Sequence, residues 1–142
     1  MRVAVVDGMG GGIGAQIVQR LRAIVKQPHT VLALGTNATA TSAMVKAGAD
    51  IGATGENAIL ANAARVDCIA GPVGIVVPNS MLGEISPAIA TVIASSEAVK
   101  VLVPLQQTHV ELVGVESKPL SHLLDQLAGR IASLLAGEGE KP

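Results

Sequence analysis

Seven residues near the N-terminus, Gly8-Met9-Gly10-Gly11-Gly12-Ile13-Gly14, constrain this chain more than any other stretch. Five of the seven are glycine, and each costs about 0.5–1 kcal/mol relative to alanine in a regular element. The run follows a β-branched segment, residues 2–6, that ends in Asp7-Gly8 and reads as a buried strand. It precedes apolar residues at Ile13, Ile17, Val18, Leu21, Ile24 and Val25, the spacing of a helix over residues 13–26 that stops at Gln27-Pro28. A strand, a glycine turn and a helix form the opening of a βα unit. The N-terminus of such a helix carries unsatisfied N–H groups and a partial positive charge, which together attract phosphate. Glycine there admits a ligand to the backbone without a Cβ in the way.

The rest of the chain repeats the alternation. Residues 30–34 predict a strand closed by Gly35-Thr36-Asn37, and residues 38–47 an alanine-rich helix ended by Gly48. Residues 50–54 suit a brief strand, with Thr54 as N-cap of a helix over 55–64. Residues 67–70 form another strand before Gly71-Pro72. Residues 73–85 are apolar, punctuated by Gly74, Pro78 and Gly83, and predict an ordered loop with room for a short helix. Ser86-Pro87 is an N-cap with proline at the first helical position of a helix reaching Ser95. Strands over 100–103 and 109–113 follow. Lys118-Pro119 opens a last helix with apolar residues at Leu120, Leu123, Leu124, Leu127, Ile131, Leu134 and Leu135. The expected fold is α/β: a three-layer, Rossmann-like, mostly parallel sheet with helices on both faces. Residues 1–136 read as one nucleotide-binding domain and residues 137–142 as a flexible tail.

Composition excludes several functions. The 142 residues contain no Phe, Tyr or Trp, so single-stranded nucleic acid lacks its stacking platform and no mechanism can use a tyrosine hydroxyl. A net charge of −1 also argues against nucleic acid. The single cysteine, Cys68, permits no intrachain disulfide and suits the cytoplasm. No apolar run reaches the ~18 residues of a membrane span. His29, His109 and His122 lack metal-ligand spacing, so no metal site is expected.

In open α/β sheets ligands bind outside the carboxyl ends of the strands. The polar residues on or after those ends are Asp7, Thr36, Asn37, Thr54, Glu56, Asn57, Asn79, Ser80 and Glu84. A dinucleotide site usually has a carboxylate at the end of the second strand to accept from a ribose. Here Leu34-Gly35-Thr36-Asn37 supplies hydroxyl and amide instead, and no nearby Arg favours NADP. Asp7 would repel a phosphate unless a metal bridged them; its expected role is to hold the turn by accepting backbone N–H groups.

The spacing of Gly8, Gly12 and Gly14 resembles the cofactor turn of the short-chain dehydrogenases, over this turn only. That family works through Tyr-x-x-x-Lys, which a chain without tyrosine does not have. A P-loop is excluded because no Gly-Lys-Ser/Thr follows. Four segments together resemble a family of short bacterial proteins, domain of unknown function 3842. They are Asp7-Gly8 through Gly14, Ala33-Leu34-Gly35-Thr36-Asn37, Ala53-Thr54-Gly55-Glu56-Asn57-Ala58-Ile59 and Asn79-Ser80-Met81-Leu82-Gly83-Glu84-Ile85. A more distant likeness joins the chain to the 2-phospholactate transferases and gluconeogenesis factors, through Gly10-Gly11-Gly12-Ile13-Gly14, Gly71-Pro72-Val73-Gly74 and Ser96-Glu97-Ala98-Val99-Lys100-Val101. That likeness implies a nucleotide or nucleotide-sugar ligand.

The leading expectation is a nucleotide- or dinucleotide-binding protein, with NAD(P) or another nucleotide as cofactor. The phosphate would rest on Gly8, Gly10, Gly11, Gly12, Ile13 and Gly14, with further contacts from Thr36, Asn37, Thr54, Asn57 and Asn79. One alternative is a small phosphotransfer or nicotinamide-dependent enzyme using Asp7 or Glu84. The other is a ligand-free interaction protein. In that last reading the dimer forms through the last helix. The protein's expected partners are a small phosphate-bearing ligand and further copies of itself, in a homodimer or higher homo-oligomer.

Overall fold

A computed structural model describes residues 1–105 and 109–137. The elements are β1 (Arg2–Asp7), α1 (Gly12–Arg22), β2 (Thr30–Gly35), α2 (Ala38–Lys46), β3 (Ile51–Thr54), α3 (Glu56–Asn62), β4 (Cys68–Pro72), a single 3-10 turn (Val73–Val76), α4 (Pro87–Ser95), β5 (Val99–Val103) and α5 (Leu120–Leu135). The five strands form one all-parallel sheet in the order β3-β2-β1-β4-β5.

β1 lies at the centre, and its side chains alternate between two cores. Val3 and Val5 join Ile17, Val18 and Leu21 of α1, Met44 of α2 and Leu124, Leu127 and Ile131 of α5. Ala4 and Val6 join Ile59 of α3 and Ile89 and Ile93 of α4. Helices therefore cover both faces, as the near-continuous apolar strands require. Both cores are built without aromatic rings. Each fully buried Ile or Leu contributes about 1.5–3 kcal/mol, so stability comes from many medium-sized side chains. The chain runs β1 to β3 in one direction and then restarts at β4 on the other side of β1. In open α/β sheets the ligand crevice lies outside such a reversal, which here falls at the carboxyl ends of β1 and β4.

Local signals set several boundaries. Asn37 caps α2 by accepting from the Ala40 N–H at 2.9 Å. The Ser86 hydroxyl accepts from the Ile89 N–H, with Pro87 at the first helical position.

Other expectations are corrected. Gly55, at φ +100, is the N-cap of α3, and the hydroxyl of Thr54 donates instead to Thr41 Oγ1 at 2.7 Å. No sixth strand forms over residues 109–113. His109 and Gly114 are left-handed there (φ +64 and +86), Val110 makes an isolated bridge, and Val113 is fully exposed. α1 ends at Arg22, four residues before the expected stop. The leucine stripe of α5 packs on α1 and β5 within the chain, so it is not a free dimer face. Of the expected tail, residues 138–142 lie outside the described residues.

Candidate functional site

Asp7 ends β1 and organises the glycine turn. Its Oδ1 accepts from the Gly8 N–H at 2.8 Å and its Oδ2 from the Gly14 N–H at 2.7 Å. It is 4% exposed. Burial pushes its carboxyl above the usual carboxylate range. The Gly14 and Gly8 N–H groups oppose that shift, and the charge of Glu84 adds to it. The Gly11 N–H donates to the Gly8 carbonyl at 2.9 Å and closes the turn. Asp7 is thus an internal staple between the end of β1 and the first turn of α1, as the sequence suggested.

A second carboxylate clamps the turn from outside. Glu84 sits in the connection between β4 and α4, and its Oε1 accepts three hydrogen bonds. They come from the Met9 N–H (3.0 Å), the Thr36 hydroxyl (2.6 Å) and Asn37 Nδ2 (2.8 Å). Asn37 Nδ2 also donates to the Met9 carbonyl at 2.9 Å. The Thr36 hydroxyl foremost, then the Met9 N–H, lower the Glu84 carboxyl below its usual range; burial opposes them and Asn37 assists. The side chains of Thr36 and Asn37, expected to hydrogen-bond a ribose or a phosphate, both donate to Glu84, and Asn37 also donates to the Met9 carbonyl and accepts from the Ala40 N–H.

The glycines divide into two groups. A Cβ on Gly8 would lie 2.8 Å from Met81 Sδ and Thr36 Oγ1. On Gly11, which has φ +73, it would lie 2.7 Å from the Ala40 backbone, and on Gly14 2.8 Å from Asp7 Cβ. These three are dictated by packing or conformation. Gly10 and Gly12 are not: neither is left-handed, and a Cβ on either would meet nothing within 4 Å. Both are exposed. The N–H groups of Gly10, Gly12 and Ile13 have no partner among the described residues, whereas those of Gly8, Gly11 and Gly14 are taken. The donors left for an anion are therefore narrower than the whole turn.

The remaining expected contacts lie elsewhere. Thr54 pairs with Gly35 at the outer strand, two strands from β1, and Asn57 is exposed on α3. Asn79 is left-handed (φ +65) and shapes its own loop, its N–H donating to the Ile85 carbonyl at 2.7 Å. Glu56 accepts from the Ser86 hydroxyl. Cys68 is buried, and burial pushes its thiol up to about 12, which makes it unreactive. Among the described residues no three His, Cys, Asp or Glu side chains are grouped to hold a metal ion, and no helix is long and apolar enough to cross a membrane.

Two adjoining hollows of about 380 and 410 Å³ open beside β5, the larger at the carboxyl ends of β4 and β5. Pro104, Val115 and Leu123 wall both, and Glu116 and Lys118 stand in both. Val73, Leu105 and Val110 belong to the larger one. Sequence reasoning missed this region because it read part of it as a strand.

The architecture is shared with a solved structure, the dodecameric FMN-dependent UbiX-like decarboxylase of Escherichia coli O157:H7. The TM-score is 0.52 over 98% of this chain and 96% of that one, at 14% sequence identity. That similarity shows the fold. No curated protein matches the sequence at a significant level. The family model of a domain of unknown function (DUF3842) matches residues 2–136, and the chain belongs to that family.

Proposed function

We propose that the protein binds a small phosphate-bearing ligand of nucleotide type, with the phosphate on the N–H groups of Gly10, Gly12 and Ile13. The observation that carries this reading is the pair Gly10 and Gly12. Folding asks for glycine at neither position, yet Gly12 opens α1 and Gly10 lies two residues before it, and the N–H groups of both have no partner among the described residues. A ligand approaching the backbone explains the choice. Asp7 and Glu84 hold the turn rigid beforehand, which reduces the ordering a ligand must impose. Both carboxylates are engaged by the protein's own donors, which favours binding over catalysis by either.

The FMN dependence of the structurally similar decarboxylase adds flavins to the candidate ligands, beside NAD(P) and other nucleotides. Its dodecameric state supports self-association here.

A thermal-shift panel with NAD, NADP, ATP, GTP, UDP-sugars and flavins tests the reading. A ligand at 100 times its Kd adds about 2.7 kcal/mol of stability. With no aromatic residue in the chain, a dye or calorimetry must report the transition. A shift that disappears in Gly12→Val is the expected result. A panel with no shift in any member defeats it.

A further inference from the structure

The two sides of the crevice differ. The connection after β4 crosses the end of β1 and delivers Glu84 to the end of β2. Met81 Sδ and Glu84 Oε1 lie where a side chain on Gly8 would stand, at 2.8 and 3.2 Å. Glu84, Thr36 and Asn37 then fill the space outside β2 with their own hydrogen bonds. A dinucleotide needs that space, because its adenosine ribose sits at the end of the second strand.

The opposite side is open. Pro72 pairs with Val103, so Val73 and Pro104 leave the sheet side by side, and both wall the larger hollow. Neighbouring strands are about 4.8 Å apart, so this hollow starts roughly 5–10 Å from the end of β1, where the glycine turn begins. One nucleoside monophosphate spans that interval. The volume of about 410 Å³ is within the usual range for small-ligand pockets, roughly 300–1,000 Å³. Its aliphatic walls, Val73, Pro104, Leu105, Val110, Val115 and Leu123, carry polar groups at Glu111, Glu116, Ser117 and Lys118. Apolar walls with a few polar groups suit a ring system better than a second phosphate.

We infer that the ligand is a phosphate monoester bearing one ring system, of mononucleotide type, with its ring in the β4–β5 hollow, and that the Glu84 network excludes dinucleotides. The inference rests on the phosphate reading above and deepens it.

Titration calorimetry on the full chain tests it, with FMN as the mononucleotide probe, NAD as the dinucleotide probe and inorganic phosphate as competitor. Wild type, Gly12→Val and Val115→Asp are compared; Val115 is 49% exposed, so its replacement leaves the core intact. FMN is expected to bind at least tenfold more tightly than NAD and to compete with phosphate. Gly12→Val should lose it, and Val115→Asp should weaken it at least tenfold while leaving phosphate unaffected. NAD binding as tightly as FMN overturns the inference, and so does FMN binding that depends on Gly12 but ignores Val115→Asp. If neither FMN, NAD nor phosphate binds, the phosphate reading itself falls, and this inference falls with it.

Discussion

The glycine turn and the loop that faces it place residue types in opposite ways. In the turn, Gly10 and Gly12 are glycine where neither φ nor packing asks for it. In the loop, Asn79, Met81 and Leu82 have φ of +65, +55 and +55, where glycine would be the cheap choice. A left-handed conformation costs a non-glycine residue about 1–2 kcal/mol. Met81 has a reason to stand there, since it packs on Gly8 and the core beneath α4. Leu82 has none inside the chain, being 94% exposed. Met9, at φ +53 and 49% exposed, is a similar case on the turn itself. Residues that the fold does not explain therefore occur on two segments joined by the Met9–Glu84 hydrogen bond, and also at Gly129 of α5 and His109. Strained or unneeded choices of this kind gather at functional sites.

The largest expected effect is at Gly11. Gly11→Ala adds the left-handed penalty to an overlap with the Ala40 backbone at 2.7 Å, and it should destabilise the fold by about 3 kcal/mol. Gly10→Ala, one residue away, should change stability by less than about 0.5 kcal/mol. Urea unfolding of the two variants followed by circular dichroism measures both. Equal losses would mean that the two groups of glycines are not distinct.

Glu84→Gln comes next. It weakens three charge-assisted hydrogen bonds at a partly exposed site and should cost about 1 kcal/mol at neutral pH. The pH dependence has a definite sign. Glu84 has a folded pKa below its ordinary 4.5, so its contribution is present above that value and is lost as pH falls through the lowered one. Asp7 runs the other way. Its folded pKa is raised above 3.8, so its contribution is full below that value and is lost as pH rises through the raised one. The stability gap between wild type and Glu84→Gln should therefore shrink as pH drops below 4.5. A gap that stays constant down to pH 3 would show that Glu84 does not act as a charged clamp.

Leu82→Gly removes the left-handed penalty and adds chain entropy to the unfolded state, for a net gain of about 0.5–1 kcal/mol. In a domain of this size that raises Tm by roughly 2–4 °C. A loss of stability instead would show that Leu82 packs against something within the chain, and the comparison would lose one of its terms.

What the sequence revealed and what it hid follow a physical division. β1, the turn, α1 and the Ser86-Pro87 start of α4 depend on neighbouring residues, and local pattern displays them. The role of Asp7 was legible for the same reason, since its partners are one and seven residues away. The Glu84 clamp was not, because its partners lie 47, 48 and 75 residues away and nothing in its own segment points to them. Asn37, read as a ligand contact, also caps α2; both uses need the same short amide after a strand. Residues 109–113 have the apolar composition of a strand, but left-handed His109 at one end and Gly114 just beyond the other bracket them, Val110 makes only an isolated bridge, and they border a hollow instead.

Gly12→Ala has the smallest expected effect on folding and separates a folding role from a ligand role at this position. Gly12 is the first residue of α1, exposed, with open space where the methyl would go. Alanine is the better helix former by up to about 1 kcal/mol in a helix interior and by less in the first turn. Stability should therefore hold or rise by about 0.5 kcal/mol. The same methyl stands beside the free N–H groups of Gly12 and Ile13, so binding of any phosphate-bearing ligand should weaken. Calorimetric unfolding and ligand titration on one preparation give both readings. Unchanged folding with weakened binding means that glycine is kept at this position for a ligand. Unchanged folding with unchanged binding means that the two spare glycines have no role at the ligand, and the argument from Gly10 and Gly12 loses its basis.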